Sequence, residues 1–408
     1  MTSLIAFLRV NARWLAAGVL LTFASSFGQT FFISVFSAEI RAAYGLSNGE
    51  WGGIYTLATM AAAVAMVFAG GVTDRFRVRH VGGAVAVGLA GACLIMALSA
   101  SVWGLIAAVF ALRLMGQGMM GHTAMVAMAR WFHGARGRAL SIAGLGVSLG
   151  EASLPITFAA LMGVAAWRDL WIAAAVIVLA AAPLLAGLLR QERTPQSFVA
   201  TEGSVGMDGR DWTRAEVLRH RMFWMMVPAL LGPAAWNTAF FFNQVNFAAS
   251  KGWTHLSLVA LFPIYTLCSV ASMLATGWAV DRFGCARLAG LFLIPAAAGY
   301  GALAAAHGPA MAALGLALIA ATAGAGSTLA SAFWAEFFGT RHLGKIRAMT
   351  AAVMVLGSAL GPGISGVLID AGITFARQGY GIAVYFAVAA MLAGAGAMGA
   401  RGALPARA

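Results

Sequence analysis

Long apolar runs alternate with short charged breaks along the whole chain. Each run holds roughly twenty residues, mostly Ala, Leu, Val, Met and Gly, which is what a helix needs to cross a hydrocarbon core of about 30 Å. The pattern therefore predicts an all-α integral membrane protein with about 12 transmembrane helices. The predicted helices cover roughly residues 14–38, 51–70, 81–100, 103–130, 139–163, 168–190, 222–249, 257–279, 288–306, 309–334, 348–369 and 379–400.

One polar stretch, residues 191–221, is much longer than the other breaks and divides the twelve helices into two groups of six. We therefore predict an N-terminal bundle over 1–190, a cytoplasmic linker over 191–221 and a C-terminal bundle over 222–408. Within the linker, DWTRAEVLRHR predicts a short amphipathic helix at the membrane interface. The first apolar run starts near Trp14 without a small-residue cleavage site, so no signal peptide is predicted.

Charge is scarce and strongly basic: 10% of the residues are charged and the formal net charge is +13. A nucleic-acid partner is not indicated, because the bases are spread over alternate loops in the positive-inside pattern. Twenty-one of the 26 Lys and Arg residues fall on one side of the predicted membrane, here called the base-rich side. We expect this side to face the cytoplasm at an inner membrane, with both termini there. The loops of the opposite side carry only Arg41, Arg168, Lys251 and Arg377.

The break after the second run contains a motif that recurs in the second half. Gly70-x3-Asp74-Arg75-Phe76 reappears as Gly277-x3-Asp281-Arg282-Phe283, an offset of 207 residues (281 − 74). Further on, Phe132 aligns with Phe338, and Gly146 and Gly150 align with Gly357 and Gly361. Two matched six-helix halves are typical of transporters that work by alternating access.

These residues resemble the major facilitator superfamily, whose loop between helices 2 and 3 carries G-x-x-x-D-R-x-G-R-[KR]. Residues 70–79 match that motif with two departures: Arg77 replaces the second glycine, and Val78 takes a basic position, leaving Arg79. FASSFGQTFF, RLMGQG and RWFHGARGRAL are similar to the branch of monocarboxylate and oxalate/formate porters. The resemblance implies the major facilitator fold and secondary active transport.

The same resemblance implies that the charged loop clips the two halves together until the cytoplasmic side opens. Asp74 would accept hydrogen bonds from the N-terminus of a facing helix, where the helix dipole favours an anion. The alternative is that the bases only set the topology. The predicted latch motif consists of Gly70, Asp74, Arg75, Arg79, Gly277, Asp281 and Arg282.

Two charged residues, Arg113 and Glu151, fall deep inside predicted helices, where an ionisable group is by default a functional candidate. Arg113 lies ten residues from Trp103, about 15 Å along the helix and near the membrane midplane. Its guanidinium would anchor a substrate carboxylate, with Gln117 one turn further along the same face. The alternative is a structural role, either an ion pair with Glu151 or hydrogen bonds to backbone carbonyls.

Glu151 is the candidate proton carrier, because burial raises the pKa of a carboxyl group and a neighbouring arginine lowers it. The alternative is that it serves only as a structural partner of Arg113. Drug/proton antiporters of the family usually carry G-x-x-x-G-P in helix 5, whereas this chain has Gly150 followed by Glu151. The departure counts against drug efflux.

Other polar side chains in the membrane are few. Gln29, Asn237 and Gln244 are the further candidates for substrate contacts, with interhelical hydrogen bonding as the alternative. Asn237 and Gln244 are seven residues apart and are predicted to share one face of helix 7. His122 is interpreted as a packing residue because it faces away from Arg113. The second half contains no buried base, which favours a ligand with one negative group over a dicarboxylate.

Together these features predict a monomeric, proton-coupled transporter of a small organic anion such as a monocarboxylate. The alternative is proton-driven efflux of a drug or metabolite. An enzyme is not indicated, since no nucleophile, base or metal site is clustered. The three dispersed cysteines and seven dispersed histidines predict no disulfide, no metal site and no cofactor.

Overall fold

The computed structural model describes residues 4–132, 136–191, 193 and 205–404 of the chain. Within these ranges the secondary structure is entirely helical, and twelve helices are long and apolar enough to cross a membrane. The predicted fold class is confirmed. The chain forms two compact units, Met1–Val199 and Ala200–Ala408.

The first unit contains six spanning helices, here called α1 to α6. In α3 to α6 the apolar run and the helix coincide within a few residues of the predicted bounds. The helices are α1, Leu4–Ser25; α2, Asn48–Ala69; α3, Val78–Leu98; α4, Val102–Trp131; α5, Arg136–Leu161; and α6, Trp167–Leu188.

The second unit repeats this plan with α7 to α12. Two of its helices are divided by a single turn, α8 at Ala260–Leu261 and α9 at Phe292–Leu293. The helices are α7, Arg221–Phe242; α8, His255–Phe283; α9, Cys285–Ala305; α10, Pro309–Phe338; α11, Leu343–Asp370; and α12, Phe375–Ala400.

The offset of 207 residues predicted from the loop motifs extends to the helix bounds. Val78–Leu98 and Cys285–Ala305 are related by it at both ends, as are Val102–Trp131 and Pro309–Phe338. By this register Gly150 corresponds to Gly357. Both glycines lie against the first helix of their own unit, because a Cβ atom at either would collide with α1 or α7. The alignment of Gly146 with Gly357 predicted from the sequence differs from this register by four residues (211 − 207), and Gly146 and Gly361 also lie against the first helix of their own unit.

Helix 1 differs from the uninterrupted helix predicted over 14–38. It stops at Ser25, passes through a 3₁₀ turn to Gln29, whose backbone is extended (φ −85°, ψ 154°), and resumes at Thr30. A second change of direction follows at Phe36 (φ −95°, ψ 11°) before the short helix Ser37–Tyr44. Hydropathy averaged over the whole run did not reveal either interruption, although the first falls in the polar stretch SSFGQT.

Helix 7 has only the second of these interruptions. Asn243 (φ −96°, ψ 18°) separates α7 from the short helix Gln244–Ser250, and it lies 207 residues after Phe36 (243 − 36). At the position equivalent to Gln29, α7 continues without a break. The break at residues 26–29 is therefore a feature of the first unit alone.

Two bases of the base-poor side have a structural role in helix capping. Arg168 Nη1 donates to the carbonyls of Ala97 (2.9 Å) and Ser99 (2.7 Å) at the end of α3. In the second unit Lys251 Nζ donates to the carbonyl of Ala304 (2.6 Å), the residue equivalent to Ala97 at the end of α9. A cation there satisfies open carbonyls and complements the helix dipole.

The two described ends of the linker pack against Phe132 and Phe338, the phenylalanines that the sequence repeat predicts to be equivalent. Arg193 lies over the ring of Phe132, with 4.6 Å between its guanidinium carbon and the ring centroid. Trp212 and His220 make edge-to-face contacts with Phe338, at centroid distances of 5.7 and 6.3 Å. Residues 194–204, including Pro195, lie outside the described residues.

A short helix, Arg214–Arg219, stands where the linker was predicted to turn helical. Its capping box joins Thr213 and Glu216. His220 then caps α7, because its Nδ1 accepts from the backbone N–H of Met222 at 3.3 Å. Burial, followed by the charge of Arg221, lowers the pKa of His220 and so favours the neutral ring that this acceptor role requires.

Candidate functional site

Arg113 lies buried in the middle of α4, with 4% of its surface exposed. Its Nη1 donates to the carbonyl of Gly28 and to the hydroxyl of Thr30, both at 3.3 Å. Its guanidinium carbon stands 5.3 Å from the ring centroid of Tyr55, close enough for a cation–π contact. None of these partners is an acid, and in the described ranges the contacts of the guanidinium do not include Glu151.

The hydrogen bonds of the guanidinium all leave from Nη1. Nε is buried and has no hydrogen-bond partner in the described part of the chain. The edge formed by Nε and Nη2 is the one that commonly binds a carboxylate with two parallel hydrogen bonds. Arg113 therefore has Nη1 held by the protein, while its buried Nε has no hydrogen-bond partner among the described residues.

The break in α1 packs directly against α4. A Cβ atom on Gly116 would lie 2.6 Å from the Cα of Gly28, so only glycine lets the two backbones approach this closely. At the same place α4 is a π-helix over Arg113–Met120, with a widened turn of the kind often found at functional sites. The guanidinium stabilises the open Gly28 carbonyl that the break creates.

Two residues of this cluster, Tyr55 and Thr30, were missed in the sequence. Tyr55 is completely buried in α2, and its hydroxyl is 2.6 Å from the Thr30 hydroxyl. Tyr55 is one of only six tyrosines, in a run otherwise rich in alanine and methionine, which was a weak available signal. Thr30 could not be found, because its position depends on the break in α1.

The other predicted residues of the first unit surround this cluster without joining its hydrogen bonds. Gln29 is half-buried in the break itself, and Gln117 is exposed one turn beyond Arg113. Glu151 is half-buried on α5, next to Gly150, whose Cβ position is blocked by the Ser26 side chain. Glu151 is therefore placed beside the same break, on the opposite helix from Arg113.

The second unit has a cavity of about 510 Å³ between α7, α9, α10 and α11. Its wall is mainly apolar and aromatic, including Phe292, Phe333 and Trp334. Asn237 lines it, with its side-chain oxygen accepting from the Tyr300 hydroxyl at 3.0 Å. The volume is in the range of pockets that hold small molecules.

Gln244 lies outside this cavity, although it was predicted to share a helix face with Asn237. The change of direction at Asn243 separates the two residues, so the spacing of seven no longer places them on one face. Gln244 is fully buried, and its side-chain oxygen is 3.2 Å from Nε2 of His255.

The latch motif of the first unit includes a one-turn helix, Val72–Arg75, that is attached to α4. Arg130 Nη1 donates to the carbonyl of Thr73 at 2.8 Å, and the Thr73 hydroxyl is 3.3 Å from His122 Nε2. His122 thus holds the loop, a role its interpretation as packing did not include.

The side chain of Asp74 lies outside the described residues. Of the remaining members, the charged side chains are all exposed: Arg75, Arg79, Asp281 and Arg282.

The two glycines of the latch motif differ in their surroundings. A Cβ atom on Gly70 would lie 3.1 Å from the Met66 carbonyl, whereas one on Gly277 would meet nothing within 4 Å. In the described residues no group of three or more His, Cys, Asp or Glu side chains could hold a metal ion.

Known proteins identify the family to which this architecture belongs. The sequence profile of the Major Facilitator Superfamily matches residues 18–362. The chain belongs to this superfamily. Family membership makes it a multi-pass membrane transporter of small molecules, which is typically not an enzyme. The narrower resemblance to monocarboxylate and oxalate/formate porters is not confirmed, and no curated protein sequence matches the chain.

Solved structures of low sequence identity share the fold. A bacterial homolog of the human lysosomal transporter Spinster, in an inward-facing and unoccupied conformation, is 15% identical with a TM-score of 0.73. That match covers 98% of this chain and 99% of the homolog. The nucleoside transporter NupG is 12% identical with a TM-score of 0.72, over 93% of this chain and 97% of NupG.

Proposed function

We propose that this protein is a secondary transporter that moves a small organic anion, such as a monocarboxylate, together with protons by alternating access. The observation that carries the proposal is the environment of Arg113. A buried cation in a membrane span is normally paired, yet the partners of this guanidinium in the described ranges are a carbonyl, a hydroxyl and an aromatic ring. An incoming carboxylate would supply the missing negative charge.

The ligand that fits has one negative group and an apolar body. At the position equivalent to Arg113 the second unit has Ala320, and the walls of its cavity are mainly apolar. The one base among its lining residues, Arg347, is exposed, so a second carboxylate would find no buried base there. Gln117 and Gln29 are the proposed polar contacts of the first unit, and Asn237 is the contact in the second, whereas Gln244 is better explained by its hydrogen bond to His255.

We assign proton coupling to Glu151. Its place beside the break in α1 makes its proton affinity sensitive to whether an anion occupies the Arg113 site, because a second negative charge nearby favours the protonated carboxyl. Protonation would then accompany substrate binding, as symport requires. The latch motif would close the base-rich, cytoplasmic side of a monomer in the inner membrane, with Asp74 as its central acceptor and Asp281 as the weaker counterpart.

Efflux of an apolar drug or metabolite is the second candidate function. The aromatic wall formed by Phe292, Phe333 and Trp334 favours it, since such a wall would hold a neutral aromatic molecule as readily as the body of an anion. In that case Arg113 and Glu151 would serve as a proton relay, and carboxylates would not accumulate.

Uptake of labelled monocarboxylates into proteoliposomes, with and without an inward proton gradient, tests the proposal. We expect gradient-driven accumulation to fall at least 100-fold in Arg113→Gln, and Glu151→Gln to retain exchange without accumulation. Arg168→Gln is the matched control, because Arg168 also donates two hydrogen bonds from Nη1, in its case to two carbonyls at the end of α3. Equal losses in both arginine variants, or no carboxylate uptake at all, would contradict the anion proposal and favour export.

A further inference from the structure

A second cavity, of about 450 Å³, lies on the outer surface of the second unit between α9 and α12. Its rims are large apolar side chains that are strongly exposed: Leu291 (57%), Ile294 (52%) and Met391 (66%). Both helices span the membrane, so this groove is bathed by lipid hydrocarbon. Its floor is made of small residues, among them Ala297 and Ala387.

The groove exists because two backbones touch at its centre. A Cβ atom on Gly290 of α9 would lie 2.9 Å from the Cα of Gly394 of α12, so larger residues cannot stand there. The equivalent glycines of the first unit, Gly83 and Gly187, have open space at their Cβ positions instead. The contact that makes the groove is therefore particular to the second unit.

One end of the groove is basic. Arg287 lines it on the base-rich side, is exposed, and forms no ion pair with any acid in the described ranges. Arg401 follows α12 at the same end, three residues after the lining residue Met398. Glu336 of α10 accepts from the backbone N–H of Cys285, two residues before Arg287.

The length of the groove matches one membrane leaflet. From Arg287 to Ala297 the wall covers ten residues, or about 15 Å along a helix, which is half of a hydrocarbon core of about 30 Å. An apolar channel of this depth with a cation at its mouth has the chemistry of a phospholipid: an acyl chain below and a phosphate at the interface.

We propose that this groove is a binding site for an anionic phospholipid, with one acyl chain between α9 and α12 and the headgroup phosphate on Arg287. The site stands apart from the cavity lined by Asn237, and the proposal does not depend on the transported substrate. The alternative is ordinary annular lipid that exchanges freely along the surface. The experiment must distinguish this lipid from a specifically bound phospholipid.

Lipid binding to the full-length protein, stripped of lipid in detergent, can be measured by native mass spectrometry. Phosphatidylglycerol and phosphatidylcholine with identical acyl chains are the probes. Arg287→Gln removes the headgroup contact, and Arg138→Gln removes an exposed base of the same side elsewhere. Ala387→Phe fills the acyl channel, with Ala173→Phe as its control at an exposed alanine of α6.

We expect the wild type to bind one phosphatidylglycerol at least tenfold more tightly than phosphatidylcholine. Arg287→Gln should abolish that preference and Ala387→Phe should release both lipids, while the two control variants behave as wild type. Equal affinity for the two lipids in the wild type, or an unchanged preference in Arg287→Gln, would overturn the headgroup site. Unchanged binding in Ala387→Phe would overturn the acyl site.

Discussion

The two units share a scaffold and differ at its centre. In the first unit the helix is broken at residues 26–29, and Arg113 of α4 donates to the carbonyl of the buried Gly28. At the equivalent positions the second unit has Ala235 in a continuous helix and Ala320. Instead of a buried cation, the second unit has a cavity of about 510 Å³. A repeat can therefore keep its helices while the residues packed inside them differ between the two copies.

The two units share the local features at which helices end or change direction. Phe36 and Asn243 have nearly the same backbone angles. Ser47 and Thr254, also 207 residues apart (254 − 47), each cap their helix by accepting a backbone N–H from three residues on. These features depend on neighbours in sequence, and duplication preserves them easily.

The largest expected effect comes from the contact between α1 and α4. Gly116→Leu should prevent the approach of Gly28 and cost roughly 3 kcal/mol or more, because overpacked backbone contacts have no flexible side chain to move. Thermal unfolding and size-exclusion profiles of the purified protein would show the loss. Gly187→Ala has open space around its Cβ and should leave the unfolding temperature unchanged. Similar losses in both variants would mean that the break in α1 has no special packing role.

An intermediate effect is expected from filling the cavity of the second unit. Gly326 lines it, and a Cβ there would meet Phe292 only at ordinary contact distance (3.4 Å), so Gly326→Leu should fold and occupy part of the space. Uptake of the largest transported substrate should fall about tenfold relative to the smallest. A uniform reduction for all sizes would indicate that the cavity does not determine substrate size.

The smallest effect should be the same in both units. Removing the capping cation in Arg168→Gln or Lys251→Met leaves carbonyls at the end of α3 or α9 without their donor, at a cost of about 1–2 kcal/mol each. Thermal unfolding of each variant against wild type measures this. A loss confined to one unit would show that the pair of caps is equivalent in geometry but not in energy.

The candidate site was only partly predictable. Arg113 and Glu151 stand out because a charge is rare in an apolar run, and such a signal needs no structure. Tyr55 and Thr30 are ordinary residues whose importance comes from being brought to Arg113 by other helices. The pairing of Asn237 with Gln244 failed because it assumed a straight helix, and backbone direction is decided by packing.

Hydropathy, charge asymmetry and the repeat of 207 residues determined the twelve spans, the two-unit plan and the membrane as solvent. These properties follow from each residue's own transfer energy and from local order, so they can be read without contacts. The tertiary structure alone decided the break in α1, the partners of Arg113 and the cavity of the second unit. Those depend on close approaches such as Gly28 to Gly116 and Gly290 to Gly394, which join residues 88 and 104 positions apart (116 − 28; 394 − 290).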